Sequence, residues 1–338
     1  MRILLTGGTG YIGSHVAALL AEEGHVVVLY DNLSNSSANI VGQIETIVDK
    51  KCVFIHGDVR DTSYLQSALR SHKIDAVVHL AGLKAVGDSV EKPIDYYSNN
   101  VAGAISLLSA MNAEGVKTLA FSSSATVYGK PQYLPLDEKH PTSATNPYGR
   151  SKLHIEEMLR DLAASDADWH IACLRYFNPA GAHETGLLGE RPSGKPNNLI
   201  PLIAQVATGE RALLHIFGDD YETPDGTGLR DYIHVMDLAE GHIAALRFLV
   251  SNAGWHAFNL GTGQAYSVMQ MIKTFEKASG RKVAFEVAPR RSGDVAACFA
   301  NPEKARHALG WEARRNLDDM CISTWHFSQS SDHDARRA

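Results

Sequence analysis

No apolar run in this sequence approaches the ~18 to 20 residues that cross a bilayer. The opening stretch, Met1-Arg2-Ile3-Leu4-Leu5-Thr6, meets glycine too early for a secretory leader. Cysteine is scarce. Cys52, Cys173, Cys298 and Cys321 lie far apart, with no CxxC pair or zinc-like spacing, which predicts free thiols in a reducing compartment. Basic charge is not in excess either: 32 Lys and Arg face 38 Asp and Glu, a formal charge of −6. No global field therefore draws in nucleic acid or an anionic membrane. The 16 histidines show no HExxH or other ligand spacing, so no metal is assigned. These absences predict a cytoplasmic or otherwise intracellular protein that must hold any anionic ligand with local devices, namely helix N-termini and a few Arg and Lys.

What is present is ordinary globular composition, 44% hydrophobic and 21% charged over 338 residues, enough for one large or two modest domains. Apolar strands are predicted at 2–6, 25–30, 52–56, 76–80, 118–121 and 171–176, with helices at 14–23, 61–70, 93–111 and 147–164. Fully apolar strands alternating with helices imply a doubly wound parallel α/β sheet of the Rossmann type. From Asn178 the pattern loosens, with more Gly, Pro and Asn, and predicts a second, smaller α/β domain for substrate. The expected division is 1–177, joined by 230–260, for dinucleotide binding, and 178–229 with 261–338 for the substrate. The polar tail from about 328 is expected to fray.

Gly7, Gly10 and Gly13 form GxxGxxG between the first strand and first helix. Glycine permits the tight turn and lets backbone approach a pyrophosphate, which rests on the helix N-terminus. Asp31 ends the second strand, where a carboxylate bonds the adenosine ribose hydroxyls and repels a 2′-phosphate, so NAD is preferred to NADP. Asp58 and Val59, after the third strand, are placed to face the adenine.

Tyr148 and Lys152 are spaced YxxxK behind Asn146, a good N-cap, and Pro147, a good first helical residue. Four residues apart, they share a helix face. Ser122-Ser123-Ser124 follows the strand at 118–121, at the end of a parallel sheet where ligands bind. A tyrosine base near pH 7 needs its pKa of ~10 lowered by ~3 units, or ~4 kcal/mol. One positive charge ~5 Å away supplies ~3 kcal/mol at an effective dielectric of ~20. Lys152 and an oxidised nicotinamide are the two expected charges, and Ser124 is expected to bond the substrate hydroxyl and relay or orient its proton.

With these residues in view, the sequence resembles the extended short-chain dehydrogenase/reductases, and among them the UDP-glucose 4-epimerase family. The resemblance runs from Met1 to about Phe327, carried by TGGTGYIGSH (6–15), DNLSNS (31–36), HLAGLKAVGDSV (79–90), FSSSATVYG (121–129) and NPYGRSK (146–152). It continues through LRYFNPAGAH (174–183), PNNLIP (196–201), DGTGLRDYIHVMDLA (225–239) and PRRSGD (289–294). It implies 4-epimerisation of UDP-glucose and UDP-galactose on tightly held NAD, with Tyr148 taking the 4-hydroxyl proton.

The resemblance also implies that Tyr11, Ile12, Asp31, Asn32, Asn35, Ser36, Asp58, Val59, Leu80, Ala81, Gly82, Lys84, Asn99, Ser122 and Phe177 surround the cofactor. Asn178, Asn198, Leu199, His215, Phe217, Arg230, Arg291 and Asp294 would hold the UDP-sugar, with both arginines as diphosphate clamps. Cys298 occupies a pocket position that is bulky or small in the family, and a small residue would admit a 2-acetamido group. A homodimer is a further implication. Sugar-nucleotide dehydratases carry an Asp-Glu pair where this chain has Ala125 and Thr126, which disfavours dehydration. A 4-epimerase for another UDP-sugar, pentose or uronic acid, and a non-catalytic NAD-binding module remain the alternatives.

Overall fold

The computed structural model describes residues 1–191, 196, 198–291 and 293–335, with side chains to residue 330. Asn197 in PNNLIP and Ser292 in PRRSGD lie outside the described residues. Strand β1 (Arg2–Thr6) leads into helix α1 (Tyr11–Glu22), β2 (Val26–Asp31), α2 (Asn39–Val48), β3 (Val53–His56), α3 (Thr62–Ser71) and β4 (Ala76–His79). Short helices α4 (Val86–Glu91) and α5 (Pro93–Tyr96), a π-helical turn (Tyr97–Ala102) and α6 (Gly103–Ala113) precede β5 (Thr118–Ser124). A 3-10 turn (Ala125–Tyr128), α7 (Pro147–Ser165) and β6 (His170–Tyr176) follow.

Seven strands make one parallel sheet, ordered β3-β2-β1-β4-β5-β6 and closed at the far edge by β11 (Gly254–Leu260), after β7 (Asn178–Ala180), β8 (Leu214–Phe217), β9 (Leu229–Arg230) and β10 (Tyr232–His234) in the chain. Alternate side chains leave opposite faces. Leu4, Val28, Val77 and Leu119 pack on α3, α6 and α7, while Ile3, Leu5, Val27, Leu29 and Val78 meet α1, α2 and α9 (Val235–Leu249). Both faces are buried, which is why these strands are apolar throughout. The chain order reverses between β1 and β4, so a crevice opens at their carboxyl ends.

Beyond β6, α8 (Leu199–Thr208), α10 (Val268–Ser279) and α12 (Leu317–Ala335) share a core of Ile203, Phe275 and Met320. Small sheets flank it: β7 with β10, β8 with β13 (Phe285–Ala288), and β9 between β12 (Tyr266–Ser267) and β14 (Ala297–Cys298). Helix α11 (Glu303–Leu309) precedes α12.

Three expectations need correcting. The single helix predicted at 93–111 is interrupted by the π-helical turn, whose wider i→i+5 ring turns Asn100 inward. Asn100 accepts from the Leu83 amide at 2.8 Å and donates to the Leu83 carbonyl and Ser151 Oγ, both at 3.0 Å. The three serines do not follow β5 but complete it, because Leu174, Arg175 and Tyr176 of β6 supply ladder partners. From 328 the tail continues as helix α12 to Ala335 rather than as irregular chain, and residues 336–338 lie outside the described residues. The four cysteines are free. Among the described residues, no helix is long and apolar enough to cross a membrane.

Candidate active site

The glycine loop makes a cradle with no room for side chains. A Cβ on Gly13 would lie 2.1 Å from the Gly7 carbonyl oxygen, and one on Gly7, whose φ is +71°, would lie 2.7 Å from the Ala81 amide. Gly10 caps α1 without a side-chain bond, so the first-turn amides of Tyr11 and Ile12 head a helix N-terminus suited to an anion. Asp31 accepts from the Thr9 amide at 3.1 Å and the Leu33 amide at 2.9 Å, and Ser36 donates to it at 3.3 Å. Asn32 donates to Asp58 at 3.0 Å. Asp58 is also gripped by Arg60 through two bonds of 2.9 and 2.8 Å, which hold its carboxyl well below the usual range. Val59 is buried. Asn35 sits exposed on the loop after β2. Leu80, Ala81 and Gly82 leave β4 beside this cradle, and a Cβ on Gly82 would reach to 3.7 Å of Lys152 Nζ. The residues present therefore fit a dinucleotide, with open backbone at the glycine cradle and a carboxylate at the end of β2.

On the other side of the crevice, the Asn146 side chain caps α7 through the Gly149 amide at 2.8 Å. Tyr148, Lys152 and Glu156 then stack on one face. Lys152 is 4% exposed. Its ammonium donates to the Ser122 carbonyl at 2.6 Å and lies 4.9 Å from the Phe121 ring centre. Burial draws the Lys152 pKa down to about 8, against the pull of the Glu156 carboxylate. Burial raises the Tyr148 pKa, and a side-chain interaction with Ser124 opposes it.

Asn178, Asn198, Leu199, His215, Phe217, Arg230, Arg291 and Asp294 line one cavity, together with Tyr221 and Tyr232. The Arg291 guanidinium stacks 3.7 Å from the Phe217 ring centre. Arg230 donates to the Leu229 and Val295 carbonyls at 2.9 Å, and Asp294 stands 3.8 Å away. His215 faces Glu286 at 2.9 Å. Ser124, Tyr148 and Cys298 do not line this cavity. Cys298 pairs with Arg230 across β14 and β9 and packs with Phe177, Val127, Tyr128 and Ala300. Burial pushes its thiol pKa up to about 11. That cluster joins the turn after Ser124 to the cavity wall. Lys84 and Asn198, expected on different ligands, both bond Glu190, at 2.6 and 2.7 Å. Asn99 donates to Asn100 at 3.1 Å.

Sequence reasoning missed several of these partners. Asp231 is fully buried and accepts from Thr262, Gly263 and Ala300 amides at 2.9 to 3.1 Å, pinning the strand that carries Arg230 to that of Cys298. A carboxylate just ahead of the apolar Tyr232-Ile233 was the available signal. Arg60, two residues after Asp58, was another. Glu190 and Asn100 had none.

A glycine cradle, an acidic residue closing β2, and a Tyr-x-x-x-Lys pair with a buried lysine on α7, beside a serine at the end of β5, define an extended short-chain dehydrogenase/reductase. A family model described as GDP-mannose 4,6 dehydratase matches residues 4–324. The chain is 52% identical over 331 residues to the UDP-glucose 4-epimerase of Bacillus subtilis, covering 98% of each. It matches the structure of a Stenotrophomonas maltophila UDP-glucose 4-epimerase with bound NAD and formylated UDP-arabinopyranose at TM-score 0.97 and 49% identity, covering 100% of both chains. A Bifidobacterium longum epimerase in complex with NAD+ and UDP matches at TM-score 0.95 and 48% identity, covering 98% of this chain and 99% of that one. The chain belongs to the UDP-glucose 4-epimerase family and is an NAD-dependent epimerase.

Proposed function

We propose that the enzyme interconverts UDP-glucose and UDP-galactose through a 4-keto sugar. The observation that carries this reading is the face of α7 on which half-buried Tyr148 stands one turn before buried Lys152, with Ser124 opposing the effect of burial on the Tyr148 pKa. Tyr148 takes the proton of the sugar 4-hydroxyl, and returns it after the sugar has turned over. NAD held by the glycine cradle and Asp31 would supply a hydride acceptor and donor for sugar C4 and, in its oxidised form, a positive charge that favours the Tyr148 phenolate. Arg230 and Arg291 grip the diphosphate, so binding energy is concentrated on the UDP handle and the sugar stays free to rotate. His215, Phe217, Asn198 and Leu199 wall the nucleotide end.

Residues 1–177 with 230–260 serve the cofactor, and 178–229 with 261–338 serve the UDP-sugar. Cys298, small and buried beside Phe177, supports acceptance of UDP-N-acetylglucosamine and its galacto epimer. Exposed Val90, Ile94 and Ile105, 63%, 75% and 50% accessible, support a homodimer through the α4–α6 region. The locale is cytoplasmic. Tyr148→Phe is the direct test: removing a general base costs ~10²–10⁴-fold in kcat. Turnover within about threefold of wild type would remove Tyr148 from the role.

A further inference from the structure

We infer that Thr126 is a positioning residue that fills both acceptor sites of the Ser124 hydroxyl, making Ser124 a hydrogen-bond donor only. The inference rests on the proposed roles of Tyr148 and Ser124. Ser124 ends β5 and caps the 3-10 turn Ala125–Tyr128. Its Oγ accepts from the Thr126 amide at 3.2 Å and from the Thr126 hydroxyl at 2.9 Å. A serine oxygen has two acceptor lone pairs and one donor hydrogen. With both lone pairs engaged, the hydrogen is the only bonding capacity left, and Tyr148, whose pKa Ser124 draws down against burial, is the acceptor assigned to it.

Two consequences follow for the chemistry. Ser124 has no free lone pair to receive the substrate's proton, so that proton passes directly from the 4-hydroxyl to Tyr148. Ser124 therefore orients rather than relays. Its donated bond also stabilises negative charge on the phenol oxygen, which favours the base form. Thr126 is held for this task from its other side as well. A Cβ on Gly149 would lie 2.9 Å from the Thr126 carbonyl oxygen and 3.3 Å from its Cβ, so the turn and the start of α7 are in contact next to Tyr148. Valine at 126 keeps the volume and the amide bond but removes the hydroxyl donor.

The experiment is the pH profile of kcat and KM for wild type, Thr126→Val and Thr126→Ser, with Tyr148→Phe in parallel. One hydroxyl hydrogen bond sets the scale. In Thr126→Val, kcat at neutral pH falls about fivefold and the rising limb of the profile moves alkaline by about 0.7 pH unit. KM stays within about twofold, and Thr126→Ser restores both the rate and the limb. If circular dichroism shows that valine disturbs the turn, Thr126→Ala provides the same comparison. A limb that does not move in the hydroxyl-free variants while Tyr148→Phe is inactive overturns the Thr126 role alone. Tyr148→Phe that still turns over overturns the reading beneath it.

Discussion

Replacing Glu156 by glutamine leaves a guanidinium charge buried without its counterion. The Arg175 and Glu156 side chains are 2% and 0% exposed, and Arg175 donates to the two carboxylate oxygens at 3.0 and 2.6 Å. Ser123, next to Ser124, donates to the same carboxylate, and Tyr128 meets the far side of the guanidinium at 3.0 Å. Removing one partner of such a buried pair costs ~3–5 kcal/mol, because the remaining charge stays desolvated. Unfolding entropy of about 2.1 cal/mol/K per residue gives ~0.7 kcal/mol/K over the 338 residues. The loss should therefore appear as a fall of ~4–7 °C in Tm. Glu156 also supports the charge of Lys152 one turn earlier, so Glu156→Gln lets the Lys152 pKa drop below its value of about 8. The assay is calorimetry or urea unfolding of Glu156→Gln, Arg175→Met and the double Glu156→Met/Arg175→Met. The double variant should recover part of the loss, since no unpaired charge remains. A Tm within about 1 °C of wild type for Glu156→Gln would refute the reasoning.

Acid should destabilise the protein well before its carboxylates titrate. Burial holds the pKa of His15 and His242 at about 4 and that of His79 and His234 at about 3, against an ordinary 6.5. Above pH 6.5 neither state binds these protons. Below it the unfolded chain takes them first, so stability is lost from pH 6.5 down to about 4 or 3, at up to ~1.4 kcal/mol per pH unit for each histidine. Urea midpoints at pH 7, 6 and 5 should fall in step, and a flat midpoint would contradict the buried neutral assignment. Cys298→Tyr should abolish turnover of UDP-N-acetylgalactosamine, measured by NMR, while turnover of UDP-galactose stays within about threefold. Equal loss of both would remove Cys298 from specificity.

The parts of the site that lie close together in the chain are legible in the sequence. The glycine loop, Asp31 at the end of a valine-rich strand, and Tyr148 with Lys152 at helical spacing each depend on local geometry, which sequence spacing encodes. The doubly wound sheet is legible too, because strands buried on both faces must be apolar throughout. What the sequence does not reveal depends on partners distant in the chain. Asn100 faces Leu83 and Ser151 only because a π-helical turn rotates it inward. The Glu156–Arg175 pair spans α7 and β6. The Lys152 ammonium bonds the Ser122 carbonyl, an acceptor supplied by β5. The serine run reads as a loop because its polarity argues against a strand, whereas pairing with β6 keeps it in the sheet.

The central claim is that the hydrogen leaving sugar C4 returns to C4 within one binding event. UDP-galactose deuterated at C4, given to the purified protein without added NAD and followed by proton NMR, tests it directly. The account predicts growing gluco anomeric signals with the label kept at C4. Loss of the label to solvent, or no gluco signal even after NAD is added, would contradict it.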